Sequence, residues 1–247
     1  MGRVLCVANQ KGGVGKTTTA ITLADSLAHA GKRTLLIDLD PQCNATSGLG
    51  LQPVQRHPLV SNRTLQEAIQ KVPECSLDLL PGSRSFQDIE VLASNDQTNA
   101  ARVKNHLKGG LHAYDFVLID CPPSLGHLTQ TALAASTEVL IPIQCEYFAM
   151  EGLTQMIEVI KRVMRTQDNQ LEFGGILLTM YDDSLELTRE VDAEVRDFFG
   201  EIVFDSVVPR DVAVSESPSH GKSVLSYAPR SRGARAYVEL CLEILEA

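Results

Sequence analysis

A glycine-rich segment with two lysines lies near the start of the chain, between an apolar run and an amphipathic stretch. Residues 9–18 read NQKGGVGKTT. Glycines let the backbone curl so that several N–H groups point at one anion, and the N-terminus of a following helix adds its positive dipole end. Lys16 is placed to reach the β- and γ-phosphates of a nucleotide, Thr17 is suited to Mg²⁺, and Thr18 can bond the α-phosphate. The pattern predicts a phosphate-binding loop between a strand and a helix.

One position of this segment departs from the usual loop. The pattern G-x-x-x-x-G-K-[ST] requires glycine at position 10, where this chain has Gln10. An additional lysine, Lys11, stands five residues before Lys16. A second cation beside the phosphates needs a chemical reason, and the loop by itself leaves open whether Lys11 is simply solvated.

Three aspartates follow apolar runs elsewhere in the chain. Asp38 ends the run Thr34–Asp38 and is followed by Asp40, and Asp120 ends the run Phe116–Asp120. Ligands of parallel α/β sheets collect at the carboxyl ends of the strands, so these groups should meet the phosphate loop. We expect Asp120 and Asp38 to help hold Mg²⁺ and Asp40 to orient a water molecule. Each could instead cap a helix or a turn.

The rest of the chain alternates short apolar runs with longer amphipathic stretches. Continuous apolar runs are typical of strands covered on both faces, and strand–helix alternation favours a parallel sheet. We expect an α/β fold, a doubly wound and mostly parallel sheet with helices on both faces, in a single domain over residues 1–247. The predicted strands are Val4–Ala8, Thr34–Asp38, Leu77–Pro81, Phe116–Asp120, Val139–Ile143, Gly175–Met180 and Ile202–Val208.

Helices and loops are predicted between these strands. Helical spacing of apolar residues favours helices after the phosphate loop, over Glu151–Arg165, over Leu187–Phe199 and at the C-terminus. Leu51–Arg63 is predicted to be a long loop, because it contains prolines and little periodicity. Ser215–Gly233, rich in Ser, Pro and Gly, is predicted to be irregular.

Composition excludes several classes of protein. The chain has 247 residues, 44% of them hydrophobic, and a net charge of -9, which argues against disorder and against a bulk polycation. No run approaches 18 apolar residues, so no membrane span is predicted. The six cysteines are scattered without zinc spacing, and we expect them to be reduced. The N-terminus lacks a signal-peptide pattern, so a soluble cytoplasmic protein is expected.

Several ordered motifs resemble one family over essentially the whole chain. The segment Lys11–Thr18 resembles the deviant Walker A motif of the ParA/Soj/MinD ATPases. Asp38–Gln42 (DLDPQ), Asp120–Ser124 (DCPPS), Glu146–Gly152 (EYFAMEG) and Val208–Arg210 (VPR) are similar to motifs of the ParA/Soj chromosome-partitioning branch.

The resemblance implies roles for matching positions. Lys11 would cross the interface of an ATP-sandwich dimer to the partner's phosphates, and Gly12 would stay small so that the subunits can close. Asp40 would position the hydrolytic water, Asp120 would be the Walker B aspartate, and Glu146 would contact nucleotide or Lys11 across the dimer. The implied catalytic groups are Lys11, Lys16 and Asp40.

The resemblance also implies the full nucleotide site. Its loop contacts are Lys11, Gly12, Gly13, Val14, Gly15, Lys16, Thr17 and Thr18. Its adenine pocket is implied at Met180, Pro209, Arg210 and Asp211. The metal group is Thr17, Asp38 and Asp120.

An ATP-driven switch is the implied activity. The expectation is a homodimer in the ATP state that hydrolyses Mg²⁺-ATP slowly and is stimulated by a ParB-like partner. The C-terminal segment Ala236–Ala247 carries three glutamates and no basic residue, so anionic lipid would repel it and no membrane docking is expected. No room is expected for a helix-turn-helix before the phosphate loop.

The DNA surface is where the resemblance weakens. Chromosomal members bind DNA non-specifically through arginines, and two arginines expected near Arg210 and Asp183 are missing. Residues 206–236 still hold five basic residues against two acidic ones. The candidate contacts are Lys222, Arg230, Arg232 and Arg235. We expect non-specific DNA binding and association with the nucleoid.

Three alternatives stay open. The protein could position a protein cargo with weak or no DNA binding. It could be a small-molecule ligase or kinase on the same loop. It could be an iron–sulfur electron carrier of the same fold, although the second of its cluster cysteines is not evident beside Cys121.

Overall fold

One mixed sheet runs through the described part of the chain. The computed structural model describes residues 2–60, 64–73, 75–85, 88, 91–92, 112–165 and 170–247. Within them the strand order is β3-β4-β2-β5-β1-β6-β7-β8. The strands are β1 (Arg3–Val7), β2 (Thr34–Asp38), β3 (Gln70–Lys71), β4 (Asp78–Leu80), β5 (Phe116–Asp120), β6 (Glu138–Gln144), β7 (Glu172–Tyr181) and β8 (Val203–Pro209).

The pairing confirms the predicted mostly parallel α/β sheet. Every described pair is parallel except the short β3–β4 pair at one edge, which sequence analysis did not predict. Asp38 and Asp120 face each other as Cα partners in the β2–β5 ladder, and Val7 is the partner of Asp120 in the β1–β5 ladder. The carboxyl ends of β1, β2 and β5 therefore meet at one edge, as parallel pairing requires.

Helices cover both faces of the sheet, because successive side chains of each strand point to opposite sides. On β1, Leu5 and Val7 belong to one buried cluster, and Val4 and Cys6 belong to the other. The helices are α1 (Lys16–His29), α2 (Asn44–Gly48), α3 (Leu65–Ala68), α4 (His127–Ala135), α5 (Ala149–Met164), α6 (Glu186–Phe199), α7 (Val212–Glu216), α8 (Val224–Tyr227) and α9 (Arg232–Glu246).

The last helix packs on the sheet. Tyr237, Leu240, Cys241 and Ile244 repeat every three or four residues and are buried in the cluster that contains Leu5 and Val7 of β1. The hydroxyl of Ser231 accepts a hydrogen bond from the Ala234 amide and caps the first turn. Among the described residues, no helix is long and apolar enough to cross a bilayer.

The segment from Ser215 to Gly233 is more regular than predicted. It contains a 3₁₀ turn at Ser217–His220, helix α8 and the start of α9. The prediction of an irregular region was wrong here because serines, which weaken a helix interior, act at its N-terminus: Ser223 caps α8 as Ser231 caps α9.

Candidate nucleotide-binding site

The glycine-rich loop has the backbone that a phosphate site requires. It connects the end of β1 at Val7 to the start of α1 at Lys16. Gly13 and Gly15 have φ values of 76° and 86°, where a side chain would strain the chain, and Gly15 is the N-cap of α1. The first amides of α1 are thereby turned toward the space above β1.

Polar groups of neighbouring strands hold this loop in place. The Asn9 side-chain amide donates to the carbonyl of Pro142 at 2.7 Å, and its oxygen accepts from the Lys11 amide at 2.9 Å. The Thr179 hydroxyl oxygen lies 2.9 Å from the carbonyls of both Val14 and Ile143. Asn9 was missed as a site residue by sequence reasoning, since its value depends on β6 lying beside β1.

Lys16 is buried beside acidic groups. Only 6% of the residue is exposed, and its ammonium donates to the Lys11 carbonyl at 2.8 Å. Burial lowers the pKa of Lys16, whereas Asp120 and Asp40 act to raise it. The ammonium is therefore held over the loop, where it can reach the phosphates of a nucleotide.

Asp120 is a buried carboxylate without a hydrogen-bond partner. It has 0% exposure, and neither carboxylate oxygen bonds any described residue. Burial, with the nearby Asp38, raises the pKa of Asp120 well above its usual range, although the Thr17 hydroxyl and the Lys16 charge act to lower it. A buried carboxylate without hydrogen bonds is costly even near the Lys16 ammonium, and a divalent cation would offset that cost. The site thus fits the Mg²⁺ expected from the sequence, with Thr17 at the start of α1 as the second protein group.

Asp38 is bonded within the protein. Its Oδ1 accepts from the Asp40 amide at 3.2 Å, and its Oδ2 accepts from the amide and hydroxyl of Thr46 at 2.8 and 2.6 Å. Burial raises the pKa of Asp38 to about 6. The structure therefore places Asp38 as the anchor of the loop that carries Asp40.

The loop after Asp38 is compact and locally strained. Asp40 is 5% exposed, and its carboxylate accepts from the Gln42 amide at 2.9 Å. Cys43 has a φ of 55°, an uncommon value for a residue with a side chain. Such strain is frequent in segments that change conformation.

Lys11 and Glu146 form an ion pair within one chain. The Lys11 ammonium donates to Glu146 Oε2, and the two side chains are 41% and 45% exposed. The structure brings together two residues that the resemblance had placed near each other across a dimer.

A small cavity beside the loop gathers the predicted adenine-pocket residues. Its volume is about 100 Å³. It is lined by Met180, Pro209, Arg210 and Asp211, together with Gly15, Thr18 and the buried Tyr237. The Asp211 carboxylate also accepts from the amides of Ala213 and Gly233, each at 2.9 Å, so it caps α7 and the start of α9. Sequence reasoning missed Tyr237, whose apolar spacing indicated only core packing.

The predicted DNA-contact residues lie in a mixed electrostatic setting. Arg230, Arg232 and Arg235 are exposed, and Lys222 is half-buried. Arg232 and Arg235 line a groove of about 360 Å³ together with Asp183 and Glu239. Acidic groups therefore stand beside two of the four candidate cations.

A parallel sheet that brings a glycine-rich loop, a buried lysine and three aspartates to one edge defines a P-loop nucleotide-binding protein. The family described as AAA domain matches residues 2–173. The chain is 42% identical to the sporulation initiation inhibitor protein Soj of Bacillus subtilis, with 99% of this chain and 98% of that protein covered. It is 45% identical to the chromosome-partitioning ATPase Soj of Treponema pallidum, with the same coverage. The chain belongs to the ParA/Soj family of chromosome-partitioning ATPases and is an ATPase.

Solved structures agree with this fold. Cobyrinic acid a,c-diamide synthase from Mycobacterium smegmatis, with bound ADP and magnesium, is 34% identical over 100% of this chain and 95% of that chain, with a TM-score of 0.85. The cell division ATPase MinD of Pyrococcus furiosus is 26% identical over 100% of this chain and 99% of that chain, with a TM-score of 0.83.

Proposed function

We propose that this ATPase is an ATP-dependent dimerising switch of chromosome or plasmid partitioning. The observation that carries the proposal is the position of Lys11, a cation at the rim of the phosphate loop whose side chain is 41% exposed. Two nucleotides facing each other concentrate negative charge that one loop does not neutralise, and Lys11 of each subunit would supply the missing charge. Its intrachain bond to Glu146 must then break when the dimer closes.

Gly12 supports closure against a second copy. Among the described residues, a Cβ atom at Gly12 would meet only the Cβ of Pro123 at 3.9 Å, an ordinary contact, and no positive φ requires glycine there. The fold of a single chain therefore does not explain a small residue at this position. A partner subunit approaching the loop would explain it.

The hydrolytic step divides among the site residues. Lys16 would bind the β- and γ-phosphates, and Thr17 and Asp120 would hold Mg²⁺, which neutralises phosphate charge when bound. Asp40 would orient the attacking water, with its segment anchored by Asp38. Loss of the γ-phosphate would release this segment and open the dimer. We expect this switch to turn over slowly and to be stimulated by a ParB-like activator.

Non-specific DNA would be the surface on which the ATP dimer acts. Arg230, Arg232 and Arg235 are exposed, and a dimer would double any basic patch they form. Because each phosphate contact releases counterions, binding of this kind weakens steeply with salt. The acidic side chains of Asp183 and Glu239 oppose DNA binding at this surface and favour the alternative of a protein cargo with little DNA affinity.

The test is binding of a non-specific duplex to Asp40→Ala protein with ATP and with ADP across a salt series. We expect binding with ATP only, and we expect Arg232→Ala combined with Arg235→Ala to lower the salt slope by about two. Arg162→Ala, at an exposed arginine of α5, is the matched control. No binding at low salt by a proven ATP dimer would support the protein-cargo alternative.

ATP turnover coupled to a small-molecule substrate, without DNA or activator, would instead favour a synthase like the Mycobacterium structure.

A further inference from the structure

A buried polar network lies behind the aspartate loop, outside the groups assigned to phosphate or metal. It starts at Asp88, which is 4% exposed and whose Oδ2 accepts from the His57 amide at 2.5 Å and from the Ser83 hydroxyl at 3.1 Å. His57 is 3% exposed, and its ring reaches the main-chain oxygen of Asp38. Neither Asp88 nor His57 has a place in the nucleotide chemistry described above.

The hydrogen bonds of His57 define its tautomer. Ring Nδ1 accepts from the Leu59 amide at 3.2 Å, so the proton lies on Nε2. That nitrogen is 3.1 Å from the Asp38 carbonyl and donates to it. Both ring nitrogens are thereby used, and the ring joins the loop after α2 to the carboxyl end of β2.

Asp38 transmits this constraint to Asp40. Its carboxylate accepts from the Asp40 amide and from Thr46, and the Thr46 hydroxyl accepts from the Gly82 amide at 2.9 Å. A shift of the Asp38 main chain would therefore move the start of the segment that carries Asp40. A displacement on the order of 1 Å in a catalytic group is enough to lower a rate strongly.

We propose that His57 is a positioning residue for hydrolysis, which fixes the main chain of Asp38 so that Asp40 is aligned with the attacking water. This inference rests on the proposed role of Asp40. The proposed role differs from nucleotide binding, since none of the described hydrogen bonds of His57 goes to the phosphate loop.

The experiment compares steady-state ATP hydrolysis of wild type, His57→Leu and His57→Gln. Leucine removes the donor to Asp38, and the glutamine amide is placed to replace Nε2–H. We expect kcat to fall about tenfold in His57→Leu, with KM for ATP within about twofold, and to recover to within about threefold in His57→Gln. His112→Leu, at an exposed histidine, is the matched control. ADP affinity equal to that of wild type shows that the variants are folded.

Two further variants test whether His57 acts through Asp40. If His57 acts through Asp40, His57→Leu should add no loss to Asp40→Ala, because the two changes remove the same function. Asp88→Ala, which removes the acceptor for the His57 amide, should lower kcat in the same direction and decides the matter if His57→Leu does not fold.

Three results would overturn the inference. The first is an unchanged kcat in His57→Leu or Asp88→Ala. The second is a rise in the KM for ATP that is the same in His57→Leu and His57→Gln, and the third is a loss of activity that adds to that of Asp40→Ala. If Asp40→Ala is inactive and His57→Leu is fully active, only the role of His57 is wrong. If Asp40→Ala is fully active, both the proposed role of Asp40 and the action of His57 through Asp40 are wrong.

Discussion

The Lys11 ammonium bonds the Glu146 carboxylate of its own chain, at the open rim of the phosphate loop. The pair is about half exposed, and exposed ion pairs contribute little free energy, roughly 0–1 kcal/mol. Lys11 can therefore leave Glu146 at small cost when more negative charge is offered. Two ATP molecules in a closed dimer would offer that charge.

Lys11→Ala is expected to retain ATP binding and to lose dimerisation and hydrolysis. ATP binding depends on Lys16 and the loop amides, whereas dimerisation and hydrolysis depend on charge supplied across the interface. We expect at least a tenfold fall in kcat, with Lys11→Arg intermediate because it keeps charge but not shape. Equilibrium ATP binding and turnover measured on the same preparations check this. If Lys11→Ala hydrolyses ATP at the wild-type rate, Lys11 does not act on the phosphates of a partner subunit.

Gly12→Val is expected to bind ATP and remain monomeric. The chain's own fold has room for a side chain at Gly12, so the variant should melt within a few degrees of wild type. Sedimentation with ATP, in the Asp40→Ala background to prevent turnover, measures the mass directly. Ala30→Val, at an exposed residue directly after α1 and outside the motifs of the site, is the matched control and should dimerise. An ATP dimer of Gly12→Val would refute the sandwich arrangement.

Asp40→Ala is expected to form a stable ATP dimer that does not hydrolyse. The Asp40 carboxylate bonds only a local amide among the described residues, so its removal should leave the loop folded. We expect kcat to fall by about two orders of magnitude, as for loss of a group that orients the nucleophile. Phosphate release and dimer mass measured together test both halves. Full ATPase activity would show that another group orients the water.

Asp120→Asn is expected to raise stability and abolish Mg²⁺-dependent hydrolysis. The carboxylate is fully buried and accepts no hydrogen bond from the described residues, so its burial outweighs the attraction of Lys16 and an uncharged amide removes a net electrostatic cost of about 1–3 kcal/mol. Urea unfolding without nucleotide gives the stability, and phosphate release gives the activity. A variant less stable than wild type at pH 7 would mean that the carboxylate is paired in solution.

The pH dependence of that gain follows from the raised pKa of Asp120. A carboxyl group with a raised native pKa binds more protons in the folded than in the unfolded state, so its contribution to unfolding free energy falls as pH rises. The advantage of Asp120→Asn should thus be smallest at pH 5 and largest at pH 8. Asp38, with a pKa of about 6, contributes in the same direction between about pH 4 and 6, and because it interacts with Asp120 the measured difference belongs to the pair. Unfolding curves at four pH values check this, and a constant difference would contradict the raised pKa.

The local features of the site could be predicted from the sequence by itself. Gly13 and Gly15 are required by the backbone of the loop, Lys16 follows at a set spacing, and the apolar runs ending at Asp38 and Asp120 form strands because both faces are covered. Each of these depends on neighbours a few residues away. Parallel pairing then places the ends of those strands together, so the meeting of Asp38, Asp120 and the loop was also predictable.

Tertiary structure decided how the side chains are used. Asp38 was predicted as a metal group, but Thr46 and the Asp40 amide occupy its carboxylate. Asp211 caps two helices that approach each other only in the folded chain. His57 lies in a stretch whose sequence indicated just a loop, and Asp88, its partner, is 31 residues away. Hydrogen bonds between distant residues depend on atoms within about 3 Å, and spacing along a chain carries no record of that proximity until the sheet and its connections are formed.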